Sequence, residues 1–204
     1  MIVGLDFDNT IACYDSAIQI LADQLFDLPV SVPRTKLGLR NHLRSEQRES
    51  DWTLFQGSLY GPGMRYATSF PGVIEAIRTL RLLGHRPVVI SHRTRFPYAG
   101  EKHDLHAAAR EWLQLNFQGA NEELISKTDI YFLETRQQKI EKIVEQRCEL
   151  FIDDLPEVLG DEGFPPSTQA ILFDPDRTTG SVPGSWHVLN HWQDLPELLQ
   201  SNAR

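Results

Sequence analysis

Two pairs of aspartates carry the spacing that most suggests chemistry, and each pair directly follows a short apolar run. Asp6 and Asp8 come after IVGL, and Asp153 and Asp154 come after LFI. Nearby carboxylates repel one another unless a cation or a proton lies between them. Mg²⁺ characteristically takes a few carboxylates together with waters and substrate phosphate oxygens, so the two pairs predict a site for a hard divalent cation. Helix N-capping, for which aspartate is common, is the alternative for any single member.

The apolar runs before these aspartates are typical of buried parallel strands, and similar runs alternate with segments of helical periodicity. The predicted strands are 2–5, 87–90, 130–133, 149–152, 170–173 and 186–189, and the predicted helices are 11–28, 73–83, 104–115, 135–146 and 195–200. This alternation predicts an α/β fold with a parallel sheet that helices cover on both faces. Because functional sites of such sheets form beyond the carboxyl ends of the strands, we expect Asp6, Ser91 and Asp153 to converge.

Residues 29–63 interrupt this alternation with a segment of different character. Basic side chains are interleaved there with large apolar ones such as Trp52, and Gly61-Pro62-Gly63 closes the segment. A flexible linker would not carry so many large apolar residues, so we interpret the segment as an inserted helical subdomain. The chain is therefore predicted to consist of a core with this subdomain inserted in it.

The overall charge and composition limit the classes of partner. The 204 residues carry a net charge of −8 with a pI near 5.3, which argues against nucleic-acid binding because that requires a basic surface. A small anionic substrate is not excluded, since local cations can override the global sign. No stretch approaches the ~18 apolar residues of a membrane helix, and the widely spaced Cys13 and Cys148 are typical of reduced thiols. We expect a cytoplasmic protein that does not bind membranes.

The aspartate pairs also resemble the signatures of a known family. Residues 6–10, DFDNT after an apolar strand, are similar to the Asp-x-Asp-x-Thr first motif of the haloacid dehalogenase (HAD) superfamily. Ser91 resembles the second motif, Lys139 or, as the alternative, Lys142 resembles the third, and the double aspartate at 153–154 resembles the fourth. The resemblance implies a Rossmann-like α/β core of residues 1–12 and 67–204, with residues 13–66 forming an inserted small α-helical cap.

The family resemblance implies a role for each of these side chains. Asp6 would attack phosphorus and form an aspartyl-phosphate, a covalent route that splits one difficult step into two. Asp8 would act as acid and then base, and Ser91 and Lys139 would bind the phosphoryl oxygens. Mg²⁺ would be the cofactor, held by Asp6, by the backbone carbonyl of Asp8 and by one of the two aspartates at 153–154.

The resemblance therefore implies a hydrolase, a magnesium-dependent phosphatase that acts on a small phosphorylated metabolite. Asp8 favours phosphate esters, because dehalogenases of this fold lack an acid at that position. A phosphomutase or phosphotransferase on the same scaffold, and a non-catalytic binding protein that kept the fold, are the alternatives. His92 and Arg93, which directly follow Ser91, are candidates for substrate contact. The resemblance also leaves a homodimer open, since caps of this size sometimes pair between subunits.

Overall fold

The computed structural model describes residues 1–119 and 122–201, and its strands account for all six predicted ones. In chain order the strands are β1 (Ile2–Leu5), β2 (Ala12–Cys13), β3 (Thr68–Ser69), β4 (Arg86–His92), β5 (Gln118–Gly119), β6 (Glu122–Glu123), β7 (Ile130–Leu133), β8 (Leu150–Asp153), β9 (Gln169–Phe173) and β10 (His187–Leu189). Six of them form one parallel sheet in the order β10-β9-β8-β1-β4-β7. The α/β prediction is confirmed, with helices on both sides of a Rossmann-like sheet.

The helices follow the predicted periodicity more closely in the middle of the chain than near its start. They are α1 (Asp15–Leu25), α2 (Lys36–Ser45), α3 (Glu49–Tyr60), α4 (Val73–Leu82), α5 (Leu105–Phe117), α6 (Arg136–Glu145), α7 (Pro156–Leu159) and α8 (Leu195–Ser201). Short 3₁₀ turns occupy Pro62–Tyr66, Lys127–Asp129 and Trp192–Asp194. None of the helices within the described residues is both long enough and apolar enough to cross a membrane.

The helix predicted over 11–28 was wrong at both ends. Its first residues instead form β2, which pairs with β3, and the helix begins at Asp15. At the other end the backbone is already extended at Phe26, shortly before Pro29. A proline restricts the residue before it to extended conformations and lacks the amide that a helix needs, so the helical period could not continue to Leu28.

The chain divides into two compact units. Unit 1 comprises Met1–Ala12, Ser69–Arg93 and the described residues from Phe117 onward, and unit 2 comprises Cys13–Thr68 and Thr94–Asn116. The predicted division assigned residues 94–116 to the core, whereas here they group with the inserted segment. The core-and-cap organisation itself stays a prediction.

Unit 2 is organised by its own packing and loop anchors. Arg34 fixes the loop between α1 and α2, because its guanidinium donates to the carbonyl oxygens of Pro29 and Val32 at 2.8 and 2.7 Å. The same side chain donates to Asp23 at 2.9 Å. The indole N–H of Trp112 donates to the carbonyl of Ala67 at 3.0 Å. These bonds tie the segments of unit 2 together.

The centre of the sheet in unit 1 depends on a close approach between two strands. Gly4 on β1 pairs in register with Phe151 on β8, and a Cβ at position 4 would lie only 2.3 Å from the Phe151 ring. No other residue leaves this space, so the ring packs across β1 and lies 5.5 Å from the ammonium of Lys139. The apolar centre of the sheet thus reaches directly to the polar edge described next.

Candidate active site

The strand register brings the first and fourth motifs side by side. Leu5 pairs with Ile152, and the amide of Asp6 donates to the Ile152 carbonyl at 2.9 Å. Asp6, which directly follows β1, and Asp153, the last residue of β8, therefore lie at the same level of neighbouring strands. Carboxylate oxygens of Asp6, Asp153 and Asp154 all lie within 4.8 Å of one another, the one such acidic group among the described residues.

A buried lysine joins two of these carboxylates. Lys139 Nζ lies 2.5 Å from Asp6 Oδ1 and 2.6 Å from Asp153 Oδ2, and all three side chains are almost inaccessible to solvent. The helix that carries Lys139 begins with a capping box, in which Thr135 and Gln138 each bond the other's backbone amide. A capping box satisfies amides at the first turn of a helix, so the start of α6 and the place of Lys139 on it are locally defined.

Lys142, the alternative for the third motif, lies elsewhere. Its Nζ is 2.5 Å from Glu145, whose side chain is 61% exposed, and 4.9 Å from the centroid of the Tyr131 ring. The lysine that the structure places beside the aspartates is Lys139.

The charges of Lys139, Asp6 and Asp153 affect the protonation of the lysine and of Asp153. Burial alone would lower the pKa of Lys139, but the carboxylates of Asp153 and Asp6 outweigh it and hold that pKa above its ordinary value. Burial raises the pKa of Asp153, an effect that the Lys139 charge opposes and the Asp6 charge reinforces. Asp153 Oδ1 accepts a hydrogen bond from the Leu155 amide at 3.0 Å, whereas the contact of Oδ2 with Lys139 is an ion pair outside hydrogen-bonding angles.

The residues after Asp6 form a tight turn that presents Asp8. The Phe7 carbonyl accepts from the amides of both Ile11 and Ala12, at 3.0 and 2.9 Å. Asn9 adopts φ = 56°, in the left-handed region that asparagine tolerates better than most residues. The turn leaves Asp8 half-buried, two positions after Asp6.

Two further contacts involve Thr10, which is fully buried in this turn. Its hydroxyl approaches Asp154 Oδ1 at 3.4 Å. Its backbone carbonyl accepts a hydrogen bond from the indole N–H of Trp192 at 3.1 Å. The sequence pattern gave no signal for Trp192, since a tryptophan between a strand and a helix is typical of core packing.

Ser91 and the two residues that follow it differ in what they face. Ser91 is buried near the end of β4, just beyond the residues that pair with β1. Arg93 is also buried, and its Nη2 lies 3.6 Å from Asp8 Oδ1. His92 instead lines a groove of about 880 Å³ beside α6, and burial, together with the Lys139 charge, lowers its pKa. Arg93 is thus the second cation beside the acidic residues.

The donor set fits a hard divalent cation. Asp6, Asp153 and Asp154 offer carboxylate oxygens, the ligand type that Mg²⁺ prefers. Four carboxylates, those three and Asp8, face two cations, Lys139 and Arg93. Carboxyl groups therefore outnumber cations at this site, which favours the binding of a further cation. The Asp8 side chain is not a member of the 4.8 Å group, and its predicted ligand atom is the backbone carbonyl.

Comparison with known proteins gives a likeness of structure only. No protein-family model matches the chain, and no curated protein matches its sequence. A HAD family hydrolase from Deinococcus radiodurans R1, solved with bound phosphate and sodium, matches with a TM-score of 0.61 and 15% identity over 98% of this chain and 95% of that one. The HAD-hydrolase YfnB from Bacillus subtilis, bound to magnesium, matches with a TM-score of 0.61 and 13% identity over 97% of each chain.

A third solved structure is similar over the same extent. The D,D-heptose 1,7-bisphosphate phosphatase from Burkholderia thailandensis matches with a TM-score of 0.55 and 15% identity over 98% of both chains. At such identities the likeness establishes the fold. The resemblance inferred from the motifs is confirmed at that level: the chain has the fold of the haloacid dehalogenase (HAD) superfamily.

Proposed function

We propose that the protein is a magnesium-dependent phosphatase that hydrolyses a small phosphomonoester through an aspartyl-phosphate on Asp6. The observation that carries this proposal is the position of Lys139, which is fully buried between Asp6 and Asp153. A third carboxylate, that of Asp154, lies within 4.8 Å of these two carboxylates. Burying charged side chains is costly unless they are paired. An arrangement of buried carboxylates beside buried cations suits phosphoryl transfer, which depends on positioning and charge neutralisation.

Asp6 is the nucleophile in this proposal. Lys139 holds one of its oxygens, which fixes the carboxylate at the strand end, and the other oxygen attacks phosphorus as the ester bond breaks. Asp8 gives a proton to the leaving oxygen and then takes one from the water that releases phosphate. Such acid–base help is typically worth about 10²–10⁴ in rate.

Asp154 is the direct metal ligand at the fourth motif. Asp153 is fully buried, and its two oxygens are already engaged by the Leu155 amide and by Lys139. Asp154 is half-buried and has its ligand atom near both other carboxylates. When bound, Mg²⁺ would neutralise the carboxylates and the phosphoryl oxygens.

The phosphoryl group is bound by Ser91, Lys139 and Arg93. Arg93 is buried beside the acid–base residue, and a guanidinium binds phosphate with a fork of parallel N–H donors. His92 contributes less, because it lines the groove along α6 and its pKa is lowered, which favours its neutral form. The substrate class is a small phosphorylated metabolite, in accord with the net charge of −8, which disfavours nucleic acid.

The test is release of phosphate from an aryl phosphate and from a panel of phosphorylated metabolites. We expect hydrolysis that requires Mg²⁺, that EDTA abolishes, and that Asp6→Asn eliminates. Asp176→Asn, which removes an exposed carboxylate, is the matched control and should retain full activity. Activity that survives Asp6→Asn, or no hydrolysis of any compound, would contradict the proposal; recovery of the phosphoryl group on an added acceptor would favour a phosphotransferase.

A further inference from the structure

The tryptophan near the C-terminal end of the described chain makes an unusual contact with the first motif. Trp192 is fully buried, and its indole N–H donates to the Thr10 carbonyl at 3.1 Å across 182 positions of sequence. Thr10 is fully buried as well, so water cannot replace this donor. A buried carbonyl that loses its hydrogen-bond partner keeps the full cost of desolvation. Positions of the turn that break this hydrogen bond are therefore disfavoured.

A second contact holds the next carbonyl of the same turn. The amide of Phe70 donates to the Ile11 carbonyl at 3.0 Å. The Phe70 ring packs edge-on against Phe173, with centroids 4.9 Å apart, and Phe173 packs against Trp192 at 5.4 Å. Two consecutive carbonyls of the turn are thus held from outside by residues that contact one another through their rings.

The backbone around Trp192 is also closely fitted. Gly72, at the start of α4, has φ = 83°, and a Cβ there would lie 3.0 Å from the Gln193 side chain and 3.5 Å from that of Trp192. This close approach fixes the tryptophan on one side while Phe173 contacts its ring. Its indole N–H therefore has a defined direction, towards the turn that carries Asp8.

We propose that Trp192 is a positioning residue for the catalytic turn, an inference that rests on the proposed function of Asp6 and Asp8. Trp192 acts through the Thr10 carbonyl, which fixes the segment between β2 and the nucleophile Asp6, the residue directly after β1. Displacement of catalytic groups by about 1 Å costs about 10²-fold in rate. A partial shift of the turn is therefore expected to lower kcat about tenfold, with little change in KM, since Ser91 and Lys139 lie on other elements.

Trp192→Phe tests this, because it removes the N–H and keeps an aromatic ring against Phe173. Trp112→Phe is the matched control: Trp112 is 4% exposed, and its indole also donates to a backbone carbonyl, that of Ala67, at 3.0 Å. Both variants lose one buried indole bond and should lose similar thermal stability. Only Trp192→Phe should lower kcat.

Hydrogen exchange gives a readout that does not depend on hydrolysis. Amides of the peptide spanning residues 7–14 should exchange severalfold faster in Trp192→Phe than in the wild type, and at the wild-type rate in Trp112→Phe. If Trp192→Phe does not fold, residue 192 is replaced by benzothienylalanine, which has the shape of tryptophan with sulfur in place of the N–H. The same faster exchange and lower kcat are expected.

The outcomes separate this inference from the proposed function. Wild-type kcat and wild-type exchange in the folded variant at position 192 would overturn the positioning role and leave the phosphatase proposal intact. Faster exchange of the turn in a protein that hydrolyses nothing would support the positioning role and overturn the phosphatase proposal. Equal loss of kcat in Trp192→Phe and Trp112→Phe would show a general effect of stability and would also overturn the inference.

Discussion

Replacement of Lys139 by methionine is the perturbation for which the structure gives the clearest magnitude. The methionine keeps an unbranched side chain over the Phe151 ring, which the ammonium approaches to 5.5 Å, and it removes the charge. Asp6 is then 3% exposed and Asp153 fully buried, with their shared cation gone. Removal of one partner of a buried ion pair costs about 3–5 kcal/mol. We therefore expect the free energy of unfolding to fall by this amount at pH 8.

The assay is urea unfolding at pH 8 and at pH 5.5, in EDTA so that no divalent ion replaces the ammonium. Burial raises the pKa of Asp153 even in the presence of Lys139, and without that lysine the pKa rises further. Since the folded variant then holds a proton that the unfolded chain releases above about pH 4, its stability falls as pH rises through the raised pKa. The deficit in the free energy of unfolding, relative to the wild type, should therefore be smaller at pH 5.5 than at pH 8.

Lys142→Met provides the comparison on the same helix. Lys142 pairs with the largely exposed Glu145 three positions later on the helix, and such pairs are worth about 0.2–0.5 kcal/mol. A deficit for Lys139→Met no larger than that for Lys142→Met, or one that grows at pH 5.5, would refute the argument that Lys139 neutralises two buried carboxylates.

Three further expectations concern separate parts of the molecule. Mg²⁺ at 100 times its dissociation constant should stabilise the wild type by about 2.7 kcal/mol, measured by thermal unfolding; Asp154→Asn should abolish this gain, and Asp8→Asn should keep it while lowering turnover. Burial raises the pKa of Cys148 to about 12, so an alkylating reagent at pH 8 should label it only after unfolding, as mass spectrometry would show. Thr135→Ala, which removes half of the capping box of α6, should lower the free energy of unfolding in urea by about 1 kcal/mol. An unchanged free energy of unfolding would contradict the stabilising role of this capping box.

The sheet could be predicted because its strands are short apolar runs between polar turns. β7 has the predicted bounds of 130–133, whereas β4 extends beyond the predicted 87–90 to Arg86–His92. The extension includes Ser91 and His92, which pair with Phe132 and Leu133 of β7. Polar residues join a strand there because backbone pairing with a neighbour, not their own propensity, decides.

The site was predictable in its residue types but not in its choice of lysine or its supports. Lys139 and Lys142 lie three positions apart on α6, so periodicity alone could not separate them; in the fold the first is buried beside Asp6 and Asp153, whereas the second lies beside Glu145. The contact of Trp192 with Thr10 arises from tertiary packing across 182 positions, which no local pattern encodes. The cap, the homodimer and the cytoplasmic location stay predictions.

The central claim is that Asp6 becomes phosphorylated during turnover. Acid quenching in the steady state, followed by borohydride reduction and peptide mass spectrometry, measures this directly, because an acyl phosphate is reduced where a free carboxylate is not. We expect residue 6 to be converted to homoserine only when both substrate and Mg²⁺ are present, and never in Asp6→Asn. Unmodified Asp6 in an enzyme that turns over rapidly, or reduction at Asp8 instead, would contradict the account.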